Sequence, residues 1–172
     1  MLSFKVNFKS AKIPSKKILN GKYIFLEPLN ISKHSKDLFL NFSKDKKNII
    51  WKYLPYGPFK SYSNFKKWLK SECLKKDPFF YSVYSKRHKR YCGMVSYLRI
   101  VPEHGSIEVG HINYSLILQN TVEGTETMYL MMYNAFENLG NRRYEWKCNN
   151  LNKDSKKAAK RFLTKIISTA GY

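Results

Sequence analysis

Residues able to hold an anion and move a proton lie close together in one part of the chain. Gln119-Asn-Thr-Val-Glu-Gly-Thr125 joins a strand-like run to an apolar helical run. At such a junction the first N–H groups of the helix lack intrahelical acceptors and add to the positive end of its dipole. A diphosphate fits there, bound mainly by main chain: Gly124 lets the backbone turn closely, and Thr121 or Thr125 caps the helix through its hydroxyl. Upstream, His111 has the side chain whose ordinary pKa suits proton transfer near neutrality, and it reads equally well as a hydrogen-bonded sheet residue.

The elements that would position these residues follow from periodicity. Ser106-Ile-Glu-Val-Gly-His-Ile-Asn-Tyr-Ser115 reads as a strand leading into the turn. After the turn, Met128, Met131, Met132, Ala135, Phe136 and Leu139 recur at helical spacing and stop at Gly140, a natural left-handed cap. Tyr144, Trp146 and Cys148 alternate with Glu145 and Lys147 as a half-buried strand. Asn152-Lys-Asp-Ser155 then opens a short helix that buries Ala158, Ala159 and Phe162. Nearer the N-terminus, Tyr23–Leu29 reads as a strand, Ile31–Phe42 and Ser63–Lys75 as helices, and Phe79–Tyr84 with Arg90–Val101 as a strand pair. Residues 1–22 form a basic arm that packs loosely. The expected class is α/β, a mixed, mostly antiparallel twisted sheet flanked by helices.

Several segments in order carry a resemblance: Gly21-Lys-Tyr-Ile-Phe-Leu-Glu-Pro-Leu29, Tyr53-Leu-Pro-Tyr-Gly-Pro-Phe59, Asp77-Pro-Phe-Phe-Tyr81, Ser96-Tyr-Leu-Arg-Ile100, His104-Gly-Ser-Ile-Glu-Val-Gly-His111, Thr125-Glu126 and Arg142-Arg-Tyr-Glu-Trp-Lys-Cys148. Together they resemble the GNAT superfamily of acetyl-CoA-dependent N-acetyltransferases, in the branch of the bacterial ribosomal-protein-alanine N-acetyltransferases. The resemblance implies a domain over residues 23–162 and acetyl-CoA as acyl donor, without a metal. Its pyrophosphate motif is matched at the ends by Gln119 and Gly124, whereas Val122 occupies a glycine position. Cofactor contact is thereby assigned to Gln119, Asn120, Thr121, Val122, Glu123, Gly124 and Thr125. Asn152 and Ser155 match the residues that meet the pantetheine arm, and the same Asn-x-x-Ser pattern is also an ordinary helix start. Glu108 matches an acidic position able to act as base directly or through water, and His111 is the second candidate. Tyr53, Tyr56 and Phe59 fall where the family builds one wall of the acceptor groove, or where loop aromatics merely cover the core.

One departure concerns the C-terminus. The resembling proteins continue with a Leu-Gly-Phe turn and two further strands, whereas residues 163–172 diverge. The sequence therefore predicts a sheet lacking the C-terminal β-hairpin, with Tyr144–Cys148 as an exposed edge. Three readings follow: an active N-acetyltransferase for a protein N-terminus or small amine, a truncated and catalytically weak or inactive remnant, and a basic RNA- or ribosome-binding protein.

Composition bounds these readings. At 172 residues and 43% hydrophobic content the chain can bury one sizeable core, and it contains no apolar run long enough to span a membrane. A cytoplasmic monomer or homodimer without membrane contact is expected. The formal charge of +20 permits weak contact with nucleic acid, yet only six of the 32 basic residues are arginine and the lysines are dispersed, a pattern of compositional drift. Cys73, Cys92 and Cys148 form no paired motif, so neither a disulfide framework nor a zinc site is expected, and Cys148 is read as a buried thiol.

Overall fold

The computed structural model describes residues 8–169, with side chains described through residue 162. Residues 1–7 of the expected arm and 170–172 of the expected tail lie outside the described residues. Six strands form one sheet in sequence order: β1 (Leu19–Asn20), β2 (Ile24–Pro28), β3 (Phe79–Ser85), β4 (Arg90–Val101), β5 (Ser106–Tyr114) and β6 (Arg143–Trp146). The first five pair antiparallel, and β6 joins β5 in parallel. That change of direction follows from the crossover through α3 (Val122–Tyr133), because parallel neighbours need a connection long enough to return the chain to the same end of the sheet. Among the described residues β6 is one edge of the sheet and β1 the other, and α4 (Lys153–Thr169) follows β6.

Alternating side chains feed two cores. Tyr81, Val83, Val95, Tyr97, Ile107 and Val109 face Met128, Met131 and Ala135, whereas Phe80, Tyr91 and Met94 face Leu38, Phe42, Phe65 and Leu69. The latter helices are α1 (Ile31–Phe42) and α2 (Tyr62–Glu72). Each begins at a residue whose side chain accepts a first-turn N–H: Asn30 from Lys33 at 3.0 Å and Ser61 from Asn64 at 3.2 Å.

Residues 8–22 are not loose. The N–H of Ala11 donates to the Pro102 carbonyl at 3.0 Å and that of Lys12 to Leu139 at 2.7 Å, and Ala11 and Pro14 are buried. Lysine-rich composition concealed this, because main-chain bonding does not depend on side-chain character. Further along, the Glu126 carboxylate on α3 accepts the N–H groups of Lys22, Tyr23 and Ile24 at 2.7, 2.7 and 2.9 Å, tying α3 to the start of β2. A β-carbon on Gly21 would stand 2.5 Å from that carboxyl carbon.

Two irregularities shape β5 and its neighbours. Between the rows Met94↔Asn113 and Ser96↔Gly110, two residues of β5 oppose one of β4, and His111 there takes φ +49°. Between Leu98↔Glu108 and Val101↔Ser106 the surplus lies on β4, with Arg99 at φ +47°. Asp77 secures this second bulge by accepting the N–H groups of Arg99 and Ile100 at 3.1 and 2.9 Å. The helix after the turn also differs from a simple periodic one: Asn134–Asn138 is π-helical, and Leu139 donates to Asn134. The buried Tyr97 hydroxyl donates to the Met131 carbonyl there, and Asn134 donates in turn to Tyr97. Gly140 adopts φ +75°, as its position after the helix requires.

Candidate active site

Where the β5–β6 ladder ends at Val109↔Trp146, the two strands separate and a cleft of about 690 Å³ opens. One end is the turn before α3. Thr121 caps the helix: its Oγ1 accepts from Gly124 N at 3.1 Å and donates to the Leu118 carbonyl at 2.7 Å. The N–H groups of Val122 and Glu123 have no protein acceptor among the described residues, so the helix offers main-chain donors and its positive dipole end. Gly124 is required by space, because a β-carbon would come within 2.6 Å of the Leu118 carbonyl oxygen.

The side chains of the turn divide. Gln119, Asn120, Thr121, Gly124 and Thr125 line the cleft, and Gln119 is anchored by donating to the Tyr114 carbonyl at 3.1 Å. Val122 projects outward, and the Glu123 carboxylate turns inward to accept from the Ser85 hydroxyl at 2.6 Å, so both can serve a ligand only through their N–H groups. Asn152 and Ser155 also line the cleft. Asn152 Oδ1 accepts from Ser155 N at 3.1 Å as the cap of α4, and the Ser155 hydroxyl accepts from the Trp146 indole at 3.0 Å. The capping and site readings of this pair therefore coexist.

At the other end, His111 reaches the cleft because its bulge turns the ring out of the sheet's alternation. Its Nδ1 lies 3.2 Å from the Tyr56 hydroxyl, and its ring packs near Tyr56 and Phe80. Burial lowers the imidazole's pKa, Arg99 lowers it further, and Glu108 opposes them weakly, so the ring is neutral at physiological pH. Burial also raises the Tyr56 pKa and keeps that phenol protonated.

The three candidate groove aromatics have different surroundings. Tyr53 lines the cleft and donates to the Leu151 carbonyl at 3.0 Å, linking the aromatic loop to the β6–α4 loop. Tyr56 packs its ring on Trp68 and meets His111 both by ring stacking and through its hydroxyl. Phe59 lies among Trp51, Phe65 and Trp68, beside a separate depression that also touches Phe39 and Phe42.

Glu108 is buried beside the cleft rather than in its lining, and it is engaged by two cations: Arg99 Nη1 at 2.6 Å and Lys147 Nζ at 2.8 Å. Lys147 also reaches Glu145 at 2.6 Å, and Arg143 holds Glu145 at 2.9 Å. Parallel register produces this network by placing Glu108 opposite Glu145. Sequence reasoning identified neither Arg99 nor Lys147 as part of the site. Cys148 corrects an expectation: β6 ends at Trp146, so its alternation does not extend to Cys148, which is exposed and lines the cleft. Among the described residues there is no group of acidic, histidine and cysteine side chains suited to a metal ion.

The GNAT acetyltransferase domain matches residues 24–162 as a family. The chain belongs to the GNAT acetyltransferases. A GCN5-related N-acetyltransferase from Brucella melitensis is 35% identical, with 91% of this chain and 71% of that one covered and a TM-score of 0.87. A GNAT-family protein from Chromobacterium violaceum is 34% identical over 94% of this chain and 80% of its own, with a TM-score of 0.84. RimL, a ribosomal-protein acetyltransferase solved with coenzyme A, shares the fold at 18% identity, covering 84% of this chain and 82% of its own with a TM-score of 0.71. No curated protein matches the chain significantly. This GNAT chain is thus an acetyltransferase, and acetyl-CoA is the acyl donor that its family uses. The turn suits that donor: Gln119, Asn120, Thr121, Gly124 and Thr125 line the cleft together with Lys52, Lys153 and Arg161, cations of the kind that pair with phosphates.

Proposed function

We propose that this protein transfers an acetyl group from acetyl-CoA directly to a primary amine, on a protein N-terminus or a small molecule. The observation that carries this reading is the continuous cleft, which joins a helix N-terminus suited to an anion to a neutral histidine and the exposed Tyr53. Gln119–Thr125 would hold the diphosphate, while Asn152, Ser155 and Trp146 would line the path of the pantetheine arm. The donor supplies a thioester carbonyl open to attack.

The residues of this chain supply orientation and a route for the proton. In the tautomer whose Nδ1–H donates to Tyr56, the His111 Nε2 keeps a basic lone pair, suited to take a proton from an incoming ammonium in the cleft that His111 lines. Glu108 contributes electrostatically, because Arg99 and Lys147 already occupy its carboxylate. Holding the amine and thioester together accounts for much of the expected acceleration.

The test uses Asn120→Asp. Asn120 is an exposed residue at the cleft with φ +56°, so this isosteric change adds negative charge beside the helix end without disturbing packing. Calorimetry should show acetyl-CoA bound by the folded wild type and at least about tenfold more weakly by the variant. Equal affinity would remove the turn from the site, and no binding to the wild type would defeat the proposal.

A further inference from the structure

Lys147 is both a wall of the cleft and the residue bridging the two carboxylates beside it. Its side chain is 58% exposed, whereas Glu108 is 6% and Glu145 24% exposed. A largely exposed cation on a long stem thus sits on more buried anions. The surrounding groups are also defined: Arg99 binds Glu108, Arg143 binds Glu145, Ser106 contacts Glu145 weakly at 3.5 Å, and the His111 ring stands nearby and neutral.

We infer that Lys147 is a place-holder for the acceptor: its ammonium occupies the position that the substrate's ammonium takes on Glu108 and Glu145, and an acceptor must displace it to bind. This inference rests on the amine-acetylating reading above. Exchanging one ammonium for another costs little in charge. Arg99 and Arg143 keep each carboxylate paired throughout, and the displaced Lys147 moves into water from a position already largely solvated. A neutral acceptor gains nothing from the exchange, because it would leave Glu108 with one partner fewer in a buried setting. Lys147 therefore selects for acceptors that arrive as cations and sets how tightly they bind. It makes the free enzyme's acceptor end self-satisfied rather than open.

The test compares the acetyl-CoA-binding wild type, Lys147→Met and Lys147→Arg, each saturated with coenzyme A. Alaninamide serves as a cationic amine probe and N-acetylalaninamide as its uncharged counterpart. Lys147→Met keeps an apolar stem and removes the competing charge. Chemical-shift titration should show alaninamide bound about fivefold more tightly by Lys147→Met than by wild type, while Lys147→Arg shows no gain. N-acetylalaninamide should gain nothing, and adding Glu108→Gln to Lys147→Met should abolish the gain. Equal or weaker alaninamide binding by Lys147→Met would overturn the inference, as would a gain that survives Glu108→Gln. Failure of the wild type to bind acetyl-CoA would instead overturn the functional reading on which it rests.

Discussion

The proposed donor end of the cleft is built from main chain and the proposed acceptor end from side chains. At the donor end, the N–H groups of α3's first turn, the Thr121 cap and the space left by Gly124 are consequences of one short consecutive run, Gln119–Thr125. At the acceptor end, Arg99, Glu108 and Glu145 come from three strands, Lys147 directly follows the last of them, and the four meet through the register of β4 on β5 and β5 on β6. A main-chain site tolerates changes of side chain but not of backbone path. A side-chain site depends on bulges that decide which way each residue points.

The largest effect should come from loosening the donor end. Glu126→Ala removes an acceptor from three N–H groups, and denaturant unfolding should show a loss of about 2–3 kcal/mol. If the clamp also fixes α3, acetyl-CoA affinity falls in the same variant. Unchanged stability would show that the N–H groups of Lys22–Ile24 find other acceptors.

At the acceptor end, Asp77→Ala frees two N–H groups of the Arg99 bulge. Its exposed position makes the expected loss smaller, about 1 kcal/mol, again by denaturant unfolding. The contrast is sharpened by acetyl-CoA titration, which should leave this variant's donor affinity close to wild type. A matching loss of donor affinity would show that the two ends are one mechanical unit.

The smallest effect concerns pH. Burial lowers the pKa of His111 and of His34, whose ring lies on Tyr91 with Nδ1 accepting from Asn30 N at 3.1 Å. A lowered histidine pKa means that the unfolded chain takes up protons first. Their contribution to stability is therefore complete above the unfolded value of about 6.5 and declines as pH falls through it. Unfolding measured from pH 8 to pH 5 should show this decline. His34→Gln should flatten it more than His111→Asn, because His34 is fully buried. A pH-independent stability across that range would remove desolvation as the cause.

Legibility followed the same division. Strands β2 to β5, α1 and the helix after the turn were readable because periodicity and capping are local. The Arg90–Val101 strand matches β4 residue for residue. The π turn was hidden, since it accompanies a contact of Tyr97 with Met131 across the core that no local pattern announces. His111 and Glu108 were recognisable as chemical types, yet their roles depend on bulges and cross-strand partners that no spacing rule supplies. Cys148 was misplaced because alternation does not state where a strand stops. The packed segment before β1 was missed because its anchors are backbone groups on Ala11 and Lys12.

The clamp between Glu126 and the chain before β2 also constrains how the protein can change over generations. The carboxylate occupies the space where a side chain at position 21 would begin, so glycine there is the complement of an acid 105 positions further along. A larger residue at 21 is admissible only after Glu126 has moved or gone. Losing Glu126 first leaves three N–H groups without their acceptor. Each single step is harmful and the order of steps matters, so the two positions should be inherited as one unit.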